Sequence, residues 1–406
     1  MMFNAALLLL ALQDYEAHAF SVIPKNSRFV TADQSTTRWQ TSTDQLEASV
    51  DDATLPEEQE PFSGPVRAPL KFIGPYIGLG LNFPDLATAS QRSKNATGIA
   101  LDFVLDTAAN INTLNGQVAQ ELDLEIVDEA PGGVSVSGPI AGGHTYMLGS
   151  CELEGLPKDQ QFVFMENLTA SALPVASPAA AGLLSLPFFH CFEGGVEFDW
   201  QGKVEVGQDG QEQRLPPSVT FYDSADNSAS LRQDMAKVSI REIPITRLPK
   251  VTLNINGVKI PALFDTGSPI TVLNAQAAEK AGVKSIDFNA NGNDKKDSGF
   301  FGGITNKFKE AQAKAQAAAR GDVLAIAGME GQPIDLIKSE EEVNVSLGDD
   351  DVVDFGKRNV YVGNIPGLAA LNALGDDSPP GAVLGMDVLR SKSKMLLVAR
   401  DGEVYF

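Results

Sequence analysis

Apolar positions along the chain recur mostly in short alternating runs bounded by Gly, Pro, Asn and Ser, the spacing of β-strands rather than of long amphipathic helices. Leu70–Leu79 and Gly98–Leu105 are the first two predicted strands, and the second ends at Asp106. The small residues Thr107-Ala108-Ala109 follow, and Ile111 to Leu114 return to apolar sequence. Val118, Ala119 and Leu122 at helical spacing predict a helix over Asn115–Leu122. Gly132 to Tyr146 alternates on both sides of a Gly/Pro tip, which predicts a hairpin. A strand near Gln161–Met165, an apolar run Gly182–Phe189 and a pair, Gly195–Asp199 with Lys203–Val206, complete this half.

The polar stretch Gln208 to Lys237, with Pro216-Pro217 and Asp223 to Ser228, reads as a connection. The plan then recurs. Strands are predicted at Ile243–Ile245 and Lys250–Ile255, a turn at Asn256-Gly257, and a strand Val258–Phe264 that ends at Asp265. Thr266-Gly267-Ser268 follows, then an apolar return at Ile270 to Leu273 and a helix over Ala275–Ala281 stopped by Gly282. Ala382–Leu389 repeats the apolar run of the first half, and Lys394–Val398 with Glu403–Phe406 repeats its final pair. Five elements in the same order imply an internal duplication, with Asp265 lying 159 positions after Asp106. The halves differ in length: Leu184 lies 78 positions after Asp106, Leu384 lies 119 after Asp265. Much of the excess falls at 289–320, where Thr305–Arg320 is Ala- and Lys-rich with helix propensity and no wide apolar face, a surface insertion.

At 406 residues, 43% apolar and 21% charged, the chain has the length and composition of two soluble domains. The net charge of −22 argues against nucleic acid as a partner. His18, His144 and His190 lack the spacing of a zinc site, and no Gly-x-Ser-x-Gly elbow or phosphate loop is present, so no metal or cofactor is expected. Cys151 and Cys191 could pair in an oxidising lumen or stay thiols in a reducing one.

The amino terminus adds targeting. Ala5 to Leu12 with Ala17-His18-Ala19 reads as a signal peptide, too short to span a membrane. Phe20 to Thr43 holds nine Ser or Thr, three basic residues and one acidic, a transit-like composition. Joined at Ala-His-Ala-Phe-Ser, the two resemble the bipartite presequence of algae with complex plastids, which implies delivery to a plastid by the secretory route. A secreted protein with a propeptide is the alternative.

Leu263-Phe264-Asp265-Thr266-Gly267-Ser268, its counterpart Val104-Leu105-Asp106-Thr107-Ala108-Ala109, and Ala382 to Leu389 (AVLGMDVL) resemble the aspartic peptidases. The resemblance covers roughly Leu70 to Phe406. It implies a mainly β fold of two similar lobes of the acid-protease barrel type, with a cleft between them. The implied segments are a signal peptide (1–19), a transit-like segment and linker (20–66), an N-terminal lobe (67–207), a connection (208–238) and a C-terminal lobe (239–406). It further implies a monomeric endopeptidase in which Asp106 and Asp265 share a proton and activate water on an extended polypeptide. Thr107 and Thr266 would hold the loops in register, Ala108, Gly267 and Ser268 would support them, and Gly142, Gly143 and Tyr146 would belong to a covering flap. The chain departs from the family pattern at Ala108, where glycine is usual, at Ser185, where the second half has Gly385, and at the flap tip, which lacks a tyrosine. A peptide-binding scaffold and a homodimer of second lobes are the alternatives.

Overall fold

A computed structural model describes residues 64–406 apart from 131–132, 136–137, 141, 174–178, 203, 207–211, 245, 287–313, 328–332, 351 and 373–378. The predicted signal peptide and transit-like segment, the hairpin tip at 136–137 and most of the 289–320 insertion lie outside the described residues.

The architecture is mainly β and two-lobed. In the first lobe an eight-stranded sheet has, at its centre, Tyr76–Phe83, Ile99–Leu105, Gly182–Leu184 and Thr113–Leu114 as successive neighbours. Gly182–Leu184 runs parallel to Ile99–Leu105, with Leu184 opposite Leu105, and antiparallel to Thr113–Leu114. The second lobe repeats this arrangement in a ten-stranded sheet. Ala382–Leu384 runs parallel to Val258–Phe264, with Leu384 opposite Phe264, and antiparallel to Val272–Leu273. Each aspartate strand is thus flanked by the apolar run that closes its own lobe.

A six-stranded sheet joins the lobes. Gly195–Asp199 of the first pairs antiparallel with Lys394–Val398 of the second. Phe188, Phe198, Phe221, Phe264, Leu384 and Leu397 all belong to one continuous buried core. Fully burying a side chain of this size stabilises by roughly 1.5–3 kcal/mol, so the shared core holds the two aspartate loops in fixed relation.

Four stretches differ from the sequence reading. Leu70–Leu79 is not one strand: Gly74, at φ +60°, and Pro75 turn the chain between Lys71–Ile73 and Tyr76–Phe83. The stretch 208–237 is not merely a connection, since Ser218–Tyr222 is an inner strand of the six-stranded sheet and Ala225–Asp234 is a helix. The strand near Gln161 spans Val163–Ala172. Arg241–Glu242, rather than the stretch from Ile243, pairs with Pro249–Ile255; Ile243 is buried and donates its N–H to Leu248 O. Residues 314–319 are helical with Ala317 alone of the six buried, as the weak apolar face predicts. Cys151 is a buried thiol, pushed up to about 12 by burial, and Cys191 is an exposed thiol. No described helix is long and apolar enough to cross a membrane.

Candidate active site

Both aspartates arrive by the same route. The strand Ile99–Leu105 becomes wholly buried over its last three residues, and Val258–Phe264 does the same. Asp106 then donates its backbone N–H to Leu184 O at 2.9 Å, and Asp265 donates to Leu384 O at 3.1 Å. On the far side of each turn the chain is pinned again. Leu186 N–H reaches Ala109 O at 3.0 Å, and Met386 N–H reaches Ser268 O at 2.8 Å. The helix after each loop is capped by an asparagine: Asn115 Oδ1 accepts from Gln117 N and Asn274 Oδ1 from Ala277 N. Each carboxylate is therefore presented by a turn fixed at both ends.

The two turns cross. Thr107 donates its N–H to Thr266 Oγ1 at 3.1 Å, and Thr266 donates its N–H to Thr107 Oγ1 at 3.0 Å. Each hydroxyl goes on to the opposite strand: Thr107 Oγ1 to Phe264 O at 2.7 Å, Thr266 Oγ1 to Leu105 O at 2.8 Å. Both threonines are fully buried. Four such bonds in a dry interface, each worth about 1 kcal/mol net and more to break one-sidedly, fix the distance between the loops.

That crossing brings the two carboxyl groups into hydrogen-bond contact. Gly267 lies hard against Asp106: a β-carbon on it would stand 2.4 Å from the Asp106 carboxyl carbon and 2.6 and 2.7 Å from its oxygens. Asp106 accepts from the backbone N–H groups of Ala108 (2.8 Å to Oδ1) and Ala109, Asp265 from those of Gly267 and Ser268. Burial pushes Asp106 up to about 6 despite those donors. Burial, and then the Asp106 charge, push Asp265 well above the ordinary carboxylate range. Asp265 Oδ1 is buried without an N–H or O–H donor from another residue. An oxygen so placed favours the protonated form of its carboxyl group, the same direction in which burial acts. A group between them can lose a proton to one carboxyl and gain one from the other.

A family profile described as "Aspartyl protease" matches residues 251–295, the segment that carries the Asp265 turn and the helix after it. Over that segment the chain is similar to the aspartyl proteases. A search of curated protein sequences found no match. Among solved structures, the chain is similar to basic 7S globulin from soybean (11% identity, TM-score 0.39, covering 85% of this chain and 95% of that one). It is also similar to conglutin gamma from lupine seeds (10%, TM-score 0.42, 85% and 95%) and to edgp (10%, TM-score 0.40, 86% and 96%).

The remaining predicted residues fall in two groups. Ala108 and Ser268 sit in the turns, but the Ser268 hydroxyl bonds Ile270 O at 2.8 Å and leaves only its N–H for Asp265. Gly142 is exposed, and Gly143 begins the long strand Gly143–Leu153. Tyr146, on that strand, packs against the first-lobe core and edge-on to His144 with ring centres 6.4 Å apart. The part of the hairpin that reaches the second lobe is Gly133–Ser135, which pairs with Gly138–Ile140 and lies against Pro366–Asn372.

Three residues escaped the sequence reading. Tyr76, the first residue of its strand, is near enough for both aspartates to push its phenol up, after the larger effect of burial. Asn112 and Thr271 each follow an aspartate by six positions and receive the closing run: Ser185 N–H and Oγ both bond Asn112 Oδ1 at 2.9 Å, and Gly385 N–H bonds Thr271 Oγ1 at 3.1 Å. A polar residue at the same offset in both apolar returns was the available signal.

Proposed function

We propose that the chain is an aspartic-type endopeptidase that hydrolyses peptide bonds by water activation between Asp106 and Asp265. The observation that carries this reading is the contact of two carboxyl groups, one per lobe, held together by the reciprocal Thr107–Thr266 bonds. An extended polypeptide would lie across both lobes, under the hairpin at 133–140.

With one proton on the pair, the ionised carboxylate takes a proton from water as the water oxygen attacks the scissile carbonyl carbon. The protonated carboxyl gives its proton to the carbonyl oxygen, so no charged oxyanion has to be held. The tetrahedral diol collapses when the first carboxyl returns its proton to the leaving nitrogen and the second takes one back from a diol hydroxyl. The C–N bond breaks, a carboxylic acid and an amine leave, and the pair regains its starting protonation.

Below about pH 6 Asp106 takes up a second proton and the base is lost; at high pH the remaining proton leaves and the acid is lost. The expected profile is a bell with its acid limb near 6. The test is cleavage of a quenched peptide library by the chain from about residue 51 onward. Loss of cleavage in Asp106→Asn and in Asp265→Asn separately supports the reading. Cleavage that survives Asp106→Asn, or peptide binding without cleavage at any pH, overturns it.

A further inference from the structure

We propose that a basic groove on the second lobe docks an extended, acidic stretch of a partner polypeptide, which adds as a strand to the open edge at Lys237–Ser239. The groove shares no residue with the aspartate turns, so its use stands apart from the peptidase reading.

The groove has a volume of about 440 Å³. Its floor is the outer face of two paired strands, Pro249–Ile255 and Val258–Phe264. Alternation sends Val251 and Ile260 into the core and leaves Lys250, Thr252, Lys259 and Pro261 on the other face. Lys237–Ser239 and Arg241 form one wall, and Gly348, Asp349, Asp350 and Val352 form the other. Arg241 still pairs with Lys250, whereas Lys237–Ser239 belongs to the six-stranded sheet; the groove opens where the two sheets part.

Two observations point to the occupant. The first is an unpaired strand edge. Lys237–Ser239 ends the six-stranded sheet and pairs on one side only, with Glu403–Tyr405. Ala236 and Phe406 exchange both backbone bonds, at 2.9 and 3.0 Å, and Ile240 N–H reaches Gly402 O at 2.7 Å. Antiparallel pairing alternates, so Val238 turns its N–H and C=O to the same neighbour, while Lys237 and Ser239 turn theirs to the open side. Among the described residues no strand meets that side. Such an edge is a template for another extended chain.

The second is charge. The chain carries 53 acidic against 31 basic residues, yet Lys237, Arg241, Lys250 and Lys259 meet here against Asp349 and Asp350. Lys237 is held by Glu403, and Asp349 is taken by Thr252 Oγ1 at 2.9 Å and by Arg241 at 3.5 Å. Lys250 and Lys259 have no carboxylate within ion-pair distance among the described residues. A lysine on an edge is the ordinary guard against unwanted pairing, and Lys237 fits that use. Lys250 and Lys259 do not, because their strands lie inside the ten-stranded sheet, where no edge needs guarding. Two free cations on the floor beside free backbone donors and acceptors on the wall match an acidic segment in extended form.

The experiment is fluorescence anisotropy of a labelled peptide of alternating Glu and Thr, titrated with the full chain at low salt. Binding is expected that weakens as salt is added and that a peptide of alternating Lys and Thr does not show. Lys250→Glu and Lys259→Glu are each expected to weaken it by about fivefold, with Tm kept. Ser239→Pro removes an N–H from the open side alone and is expected to abolish binding with the fold kept, since edge strands accept proline. Should that variant not fold, a Glu and Thr peptide N-methylated throughout keeps its charge, loses its donors and is expected not to bind the native chain. No binding of the Glu peptide at low salt, equal binding of the Lys peptide, or binding untouched by both lysine reversals would each overturn the proposal. Binding that survives Ser239→Pro in a folded chain, or N-methylation of the peptide, would overturn strand addition. A dimer that Lys250→Glu breaks, seen by sedimentation, would give the groove to a second copy instead. A chain begun at Gly64 that binds the Glu peptide about tenfold more tightly would give it to the chain's own acidic stretch at 44–60. Either result overturns the partner. None of these readouts involves cleavage, so they leave the peptidase reading untouched.

Discussion

The first aspartate turn carries Ala108 and closes on Ser185; the second carries Gly267 and closes on Gly385, yet the backbone bonds around them are the same pair by pair. Ser185 and Gly385 are both extended, at φ −95° and −103°, so neither position needs glycine for its conformation. Space separates them. A β-carbon on Gly385 would stand 2.2 Å from Ile270 O, whereas Ser185 carries one at the corresponding place. The anchor behind each run explains this. Thr271 meets Gly385 N–H with an oxygen on its β-carbon; Asn112 meets Ser185 N–H with an oxygen one bond further out. The longer anchor also takes the Ser185 hydroxyl, at 2.9 Å. Two copies of one turn have thus drifted in matched pairs, Asn with Ser and Thr with Gly.

The largest expected effect comes from exchanging the small residues of the turns. Gly267→Ala drives a methyl into the Asp106 carboxyl, and either the pair separates or the Thr107–Thr266 crossing shifts. Peptide cleavage is expected to fall by about 10²–10⁴-fold, the scale of losing acid–base catalysis. Ala108→Gly, the opposite exchange, is expected to keep kcat within about tenfold. Measured kcat and KM of the two variants side by side check this; equal losses would remove the asymmetry.

The second expected effect is on stability. Gly385→Ser places a β-carbon against Ile270 O and is expected to cost about 1–3 kcal/mol as an overpacked buried site, read from urea unfolding. Adding Thr271→Asn to Gly385→Ser supplies the first lobe's pairing and is expected to recover part of the loss. A double variant no better than the single would show that the pairing of anchor and closing residue is not what sets the space.

Third comes the charge on the pair. Both aspartates bind a proton more tightly folded than unfolded, so folding takes up protons, and stability falls as pH rises from the ordinary carboxylate range through about 6. Asp106→Asn removes this buried charge. It is expected to raise stability at pH 8 by roughly 1–3 kcal/mol and to leave it little changed at pH 4, measured as Tm across pH.

The sequence made the aspartate turns legible because an acid between two apolar runs has few structural uses, and because it occurs twice with a threonine beside it. It did not mark Tyr76, since Gly74-Pro75 lies inside an apolar stretch that reads as a single strand. Nor did it mark Ser218–Tyr222, whose alternation follows directly on Pro216-Pro217 and is masked by their turn signal. Tyr146 was legible as an aromatic near the hairpin, but a strand places alternate residues on opposite faces, and its ring belongs to the lobe core rather than to the carboxyl pair. The close approach of Gly267 to Asp106 is a contact between residues 161 positions apart, and local pattern carries no trace of it.

The smallest expected effect tests the other side of the first comparison. Ser185→Gly removes one hydroxyl from a dry site and leaves Asn112 Oδ1 with the Ser185 N–H bond only. The lost hydrogen bond is worth about 1 kcal/mol, and the added backbone freedom of glycine in the unfolded chain costs roughly 0.5–1 kcal/mol more. Ser185→Ala separates the two, since it loses the hydroxyl and keeps the β-carbon. If the closing run stands off because Asn112 holds it there, the alanine variant loses about 1 kcal/mol and the glycine variant about twice that, with cleavage retained in both. A Ser185→Gly chain more stable than the native one would mean that the first lobe is strained at this position after all, and that its larger residue is tolerated rather than accommodated.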